Sequence, residues 1–166
     1  MAMKNILLPK DYEYLSQTLE NLSKESKVLT KKLGEAAAHG GAVPFQIPEY
    51  QAIDDKLKVL INKAGQIKKI LSESKATPFE KINEKNIGLY SLVKVGDVDT
   101  EQSSNYYIIH PELADRIEFE TDTLPVSPGS PVGQALIGKK PGNTVKIKLP
   151  KSKKTLKITS FEKKEY

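Results

Sequence analysis

The sequence predicts an α+β protein, in which an antiparallel pair of long helices precedes a domain of antiparallel β-strands with one short helix. The first observation is the helical spacing of apolar residues in two long N-terminal runs. The second is a change to alternating apolar and polar residues from Ile87 onward. The third is a stretch of capping and turn residues, SPVGQALIGKKPGN, which begins at Ser130. Long helical periods followed by short alternating segments are typical of this fold class.

The two helical runs predict an antiparallel coiled coil, which we call the finger. The first run, Pro9 to His39, has Ser26 as its polar exception and places apolar residues at steps of three and four at Tyr12, Leu15, Leu19, Leu22, Leu29, Leu33 and Ala36. The second run, Glu49 to Leu71, keeps these steps without a break at Tyr50, Ile53, Leu57, Leu60, Ala64, Ile67 and Leu71. Two such apolar seams, joined by a short segment, are best buried against each other.

The segment between the helices, here called the tip, consists of Gly41, Val43, Pro44, Phe45, Gln46, Ile47, Pro48 and Glu49, together with Ala42. Pro44 and Pro48 fix two φ angles and bias the residues before them toward extended conformations. The apolar tip residues are therefore predicted either to fold back over the end of the seam or to contact a partner protein. Glu49 is predicted to be a solvated residue on the flank of the second helix.

The C-terminal stretch predicts a short helix followed by a β-hairpin. Ser130 is expected to cap the helix, with Pro131 in its first turn and Gly138 at its end. A turn at 141–143 follows, and two strands are then indicated by alternation at Val145, Ile147 and Leu149 and at Leu156 and Ile158. The reversal between these strands is predicted at Lys151 to Lys153.

Earlier strands are predicted from the same period of two. They cover Leu89 to Val95, Tyr106 to Ile109, and a third region that contains Ile117, Phe119 and Val126. The polar stretch before Ile87 reads as a connection between the two parts. We therefore predict a coiled-coil finger at 1–75, a linker at 76–86 and a β domain at 87–166.

Composition limits the function classes. The 166 residues contain no cysteine, which excludes disulfides and thiolate chemistry, and the two histidines, His39 and His110, are too far apart in sequence to suggest a zinc site. No long apolar run and no signal peptide are present, so we expect a cytoplasmic protein without a membrane contact. The net charge of +5 suggests an acidic partner or nucleic acid, although most lysines are expected to be solvated. Among the lysines, the group Lys151, Lys153 and Lys154 is a slightly better candidate than the others for contact with such a partner.

Four stretches, in this order along the chain, resemble the bacterial Gre transcription elongation factor family: LGEAAAHG, EYQAIDDK, YYIIHPELAD and SPVGQALIGKKPGNTVKIKLP. The last is the most specific, and the resemblance covers nearly the whole chain. It implies an FKBP-like fold for the C-terminal domain. It also implies a monomer without cofactor, not itself an enzyme, that docks on RNA polymerase and inserts its finger into the secondary channel, near the nascent RNA. Ser130, Pro131 and Gly133 match the docking loop of the family.

The tip departs from the pattern of the family members that stimulate transcript cleavage. Those members carry an Asp-Leu-x-Glu-Asn stretch there, whereas residues 41–48 contain no carboxylate and are about two residues longer. Since carboxylate oxygens are needed to hold a second magnesium ion, we expect no catalytic residue and no metal site, and regulation of elongation without cleavage. One alternative is a cleavage factor with an unusual tip that uses Glu49. Another is a prolyl isomerase of FKBP-like fold, against which the aromatic content of 7% and the absence of tryptophan argue.

Overall fold

The structure is a computed structural model that describes residues 5–39, 48–82, 85–149 and 152–166. The chain divides into two compact units, Met1–Ala76 and Thr77–Tyr166. The first unit contains β1 (Asn5–Leu7), α1 (Pro9–His39), α2 (Pro48–Glu73) and β2 (Ser74–Ala76). The second contains a 3₁₀ turn (Phe79–Lys81), β3 (Ser91–Asp97), β4 (Ser103–Ile108), α3 (Pro111–Ala114), β5 (Thr123–Val126), α4 (Pro131–Leu136), β6 (Thr144–Leu149) and β7 (Ser152–Lys163). The predicted α+β class is confirmed.

Helices α1 and α2 pack through the predicted seam. Every seam position is buried or half-buried, and the best buried are Leu15, Leu22, Leu29, Leu57 and Ile67. On the rim, Lys56 of α2 forms an ion pair of 2.8 Å with Glu25 of α1. Because this pair is exposed, it adds little stability, and the apolar seam holds the helices together. In the parts of the chain that the structure describes, neither these helices nor any other could span a bilayer.

A small parallel pair of strands lies beside the helices and was not predicted. Strand β1 pairs with β2, with Ile6 opposite Lys75. Leu7 and Leu8, which follow in the chain, are 0% and 1% exposed, and Asp11 in the first turn of α1 is also fully buried. A strand of three residues is too short to show a period in the sequence, which explains why it was missed.

The second unit is built on a five-stranded sheet in the order β5-β4-β3-β7-β6. Strand β3 is antiparallel to β4 and β7, and β6 and β7 form the predicted antiparallel hairpin. The outermost pair differs from the prediction, because β5 runs parallel to β4. Residues 109–122, which include α3, cross over between them and bring the chain back to the same end of the sheet.

The sheet core follows the predicted alternation. Val93 and Val95 of β3, Ile108 of β4, and Ile158 of β7 are at most 1% exposed, and Leu136 of α4 is fully buried. Lys94, between the two valines, is exposed. Alternate residues of a strand point to opposite faces, so one face of the sheet carries the apolar core.

Three local predictions are corrected. Ile117 and Phe119 are not in a strand, because the chain there belongs to the crossover. The Phe119 ring instead packs against the Tyr107 ring, with 5.7 Å between the two ring centroids. The hairpin reverses earlier than Lys153, which already pairs with Lys148. The strand predicted from Leu89 begins only at Ser91, because the fully buried Tyr90 has a φ of 61°, which is not a strand conformation.

Candidate functional site

The loop before α4 is organised around the hydroxyl of Ser130. The Ser130 Oγ accepts a hydrogen bond of 3.0 Å from the Gly133 amide and donates one of 2.8 Å to the Ser127 carbonyl oxygen. The predicted N-cap is thus confirmed, with Pro131 as the first helical residue. Since both hydrogen-bonding roles of the hydroxyl are used within the loop, we assign Ser130 a structural role.

Gly133 makes α4 fit closely against the preceding loop. A Cβ atom at this position would overlap the carbonyl oxygen of Ser127 and lie 3.2 Å from the Cα of Pro128. Gly133 itself is buried. The glycine is therefore required by packing, a reason that its spacing from Ser130 alone does not reveal.

We expect Gly133→Ala to lower the free energy of unfolding by about 1–3 kcal/mol, the usual cost of overpacking. Alanine favours a helix over glycine by about 1 kcal/mol, but a backbone clash outweighs that preference. The change is measured by denaturant unfolding. Gly129→Ala in the same loop is the control, since its Cβ would meet the Ser127 hydroxyl at 3.8 Å, an ordinary contact distance. Equal stabilities of the two variants would contradict the close packing at Gly133.

The exposed side of this loop consists of Pro131 and Gln134. Both side chains are exposed, and the Gln134 amide donates a hydrogen bond of 3.1 Å to the Gly129 carbonyl oxygen. At the other end of α4, Gly138 has a φ of 80°, and its amide bonds to the Ile87 carbonyl oxygen at 2.8 Å. The loop and helix are thus held at both ends while the Pro131 side chain remains exposed.

Two buried polar atoms lie at the start of α3, on its N-cap residue His110 and on Glu112. The Nε2 of His110 and the Oε2 of Glu112 are buried and find no hydrogen-bond partner among the residues that the structure describes. Burial lowers the pKa of His110, and the nearby Glu112 carboxylate opposes this effect only in part. The imidazole is therefore neutral at neutral pH. In the described ranges, no three His, Cys, Asp or Glu side chains come together as a metal site.

The tip overlaps the described residues only at its C-terminal end. Gly41, Val43, Pro44, Phe45, Gln46 and Ile47 lie outside the described residues, so the predictions about them stay predictions. Pro48 is the first residue of α2, and Glu49 lies exposed in its first turn, where the helix dipole favours an acid. On α1, the nearest acid is Glu35, whose carboxylate lies 3.8 Å from the Lys31 ammonium group.

The lysines of the β6–β7 hairpin are grouped differently from the sequence prediction. Residues directly opposite each other in an antiparallel pair share a face, and Lys148 pairs with Lys153. The register places four exposed lysines on this one face: Lys146, Lys148, Lys153 and Lys157. Lys154 lies on the other face, 3.9 Å from the Asp97 carboxylate. Lys151 lies outside the described residues. Register, which the sequence leaves open, decides this grouping.

Comparisons with known proteins identify the family of this chain. Residues 82–163 match the family model described as the C-terminal domain of the transcription elongation factors GreA and GreB. The transcription elongation factor GreA of Thermodesulfovibrio yellowstonii is 32% identical over 145 residues, which are 87% of each chain, and that of Rickettsia felis is 28% identical over 99% of this chain and 98% of its own. The crystal structure of GreA factor homolog 1 of Thermus thermophilus is 22% identical and superimposes with a TM-score of 0.46 over 96% of this chain and 99% of its own. The chain therefore belongs to the Gre family of transcription elongation factors.

Proposed function

We propose that this protein binds RNA polymerase at the secondary channel and regulates transcription elongation without stimulating transcript cleavage. The observation that carries the proposal is the tip sequence, which contains no Asp or Glu from Gly40 to Pro48. The curated relatives are named as transcription elongation factors, which supports RNA polymerase as the partner. A monomer with its tip near the nascent RNA is part of the same proposal.

The chemistry of the tip supports a role without cleavage. A second magnesium ion at a polymerase active site needs carboxylate oxygens that it can bind together. Glu35 is engaged by Lys31, and Glu49 is one exposed carboxylate at a helix start. A single carboxylate supplies one ligand where a pair is required, so the tip is expected to fill the channel without recruiting the ion.

We propose that the exposed side of the α4 loop docks on RNA polymerase. Ser130 and Gly133 hold the loop in shape, and Pro131 presents a rigid apolar ring to the partner. Rigid residues lose little conformational entropy on binding, which favours a contact of this kind. Of the three residues in the predicted docking motif, we therefore expect Pro131 to make the contact and the other two to position it.

Pro131→Glu is expected to weaken binding to core RNA polymerase at least about tenfold, the effect of losing about 1.4 kcal/mol of binding free energy. Glutamate is tolerated in the first turn of a helix, so the loop should keep its fold. The measurement is the dissociation constant of the labelled protein for core polymerase. The control is Pro141→Glu, at an exposed proline in the turn before β6. Undiminished affinity of the first variant, or equal losses in both, would remove Pro131 from the docking surface.

A prolyl isomerase function receives little support from the second unit. One cavity of the second unit, of about 160 Å³, is lined by Leu92, Tyr107, Phe119 and Tyr166 among others. Small-molecule sites usually enclose about 300–1,000 Å³. The Lys164 ammonium group, 3.1 Å from the Glu120 carboxylate, adds an ion pair at its wall. At about 160 Å³, this cavity is smaller than such sites usually are.

A further inference from the structure

The second unit separates its charges along the chain. Residues 123–161 contain no Asp or Glu and eight lysines. The hairpin face defined above, with Lys146, Lys148, Lys153 and Lys157, lies within this segment, and all four side chains are exposed. None of the four forms an ion pair with another described residue. We call this surface the lysine face.

Repulsion among the charges of the lysine face lowers the stability of the fold. Lys148 and Lys153 stand directly opposite each other, and like charges at such positions repel. Strand β6 is at the edge of the sheet, where charges also prevent pairing with other chains. That protection works with charges of either sign, and mixed signs would avoid the repulsion. A segment whose charges are all positive is expected where its surface binds an anionic partner.

We propose that the lysine face binds the phosphate backbone of duplex DNA without sequence preference. Protein partners are disfavoured because their interfaces are depleted in lysine and depend on aromatic and arginine anchors, and residues 139–160 contain neither. Single-stranded nucleic acid is disfavoured because its bases need aromatic side chains on which to stack. A duplex hides its bases and presents about one phosphate charge per 1.7 Å of its axis.

The spacing of the lysine face fits this partner. Residues two apart on a strand are about 6.6 Å apart, and directly opposite residues are about 5 Å apart, so four flexible ammonium groups can reach neighbouring phosphates. Thr144 and Thr155 lie on the same face and add hydroxyl donors for phosphate oxygens. This binding is independent of the proposed polymerase contact and is tested without polymerase.

The test measures binding of the full-length protein to a short fluorescent DNA duplex of arbitrary sequence, by polarisation at increasing salt. With four phosphates neutralised, the logarithm of the affinity should fall against the logarithm of the salt concentration with a slope of about −3 to −4. The variant K146Q/K148Q/K153Q/K157Q should bind at least about tenfold more weakly, with a slope near zero. Circular dichroism verifies that this variant is folded.

A matched control removes the same charge from the finger. The variant K27Q/K32Q/K63Q/K68Q changes four exposed helical lysines and should keep both the affinity and the slope. The proposal is overturned if the control loses as much affinity as the hairpin variant, or if the hairpin variant binds DNA as tightly as the unmodified protein. It is overturned equally if single-stranded RNA is bound in preference to the duplex.

Discussion

An acidic tip grafted onto this protein is expected to create magnesium-dependent cleavage of backtracked RNA by RNA polymerase. The graft replaces residues 41–48 by a six-residue tip that contains Asp-Leu-x-Glu-Asn. Its two carboxylates would supply the oxygen ligands that the present tip lacks, and a metal ion so held can activate water. The measurement follows shortening of a labelled transcript in a stalled elongation complex, with and without the protein.

The matched control for this graft carries Asn and Gln in place of the two acids. It has the same length and shape, so it separates the effect of the carboxylates from that of a shorter tip. It should bind polymerase and leave cleavage at the rate of polymerase alone, as should the unmodified protein. The proposal would be contradicted if the unmodified protein stimulated robust cleavage and Glu49→Ala abolished it. One exposed carboxylate at the start of α2 would then suffice.

The finger could be predicted almost to the residue because its signals are local. Pro9 and Pro48 stand at the first positions of α1 and α2, where the missing amide hydrogen costs nothing. The seam repeats over many turns, so each residue supports the same phase. The second helix was nevertheless predicted one residue late at its start, since a proline at that point also suits a loop.

The sheet could be predicted only where strands alternate clearly. The parallel pairing of β5 with β4 depends on the end of the sheet to which the crossover returns. The residues of β5 themselves do not indicate this direction. The reversed backbone at Tyr90 is held by tertiary contacts, including the hydrogen bond of 2.8 Å from its amide to the Ile108 carbonyl oxygen. Such features arise from partners distant in sequence, which a local pattern does not contain.

The candidate site divides in the same way. The cap at Ser130 and the helix end at Gly138 follow from local residue preferences and were predicted. The contact of Gly133 with the Ser127 backbone and the sharing of one face by Lys148 and Lys153 depend on packing and register. A sequence thus reveals which residues can cap or turn the chain before it reveals which ones meet.

Ile67→Ala is expected to lower the free energy of unfolding of the first unit by about 2–5 kcal/mol, the usual cost of removing a large core side chain. Ile67 is 0% exposed in the seam between α1 and α2, so the deletion leaves a cavity that two packed helices cannot easily close. The control is Ile61→Ala, the same chemical change at a residue that is 55% exposed on the same helix. It should change stability by no more than about 0.5 kcal/mol. Denaturant unfolding followed by far-ultraviolet circular dichroism measures both, and similar losses in the two variants would show that the seam is not the main source of the stability of the finger.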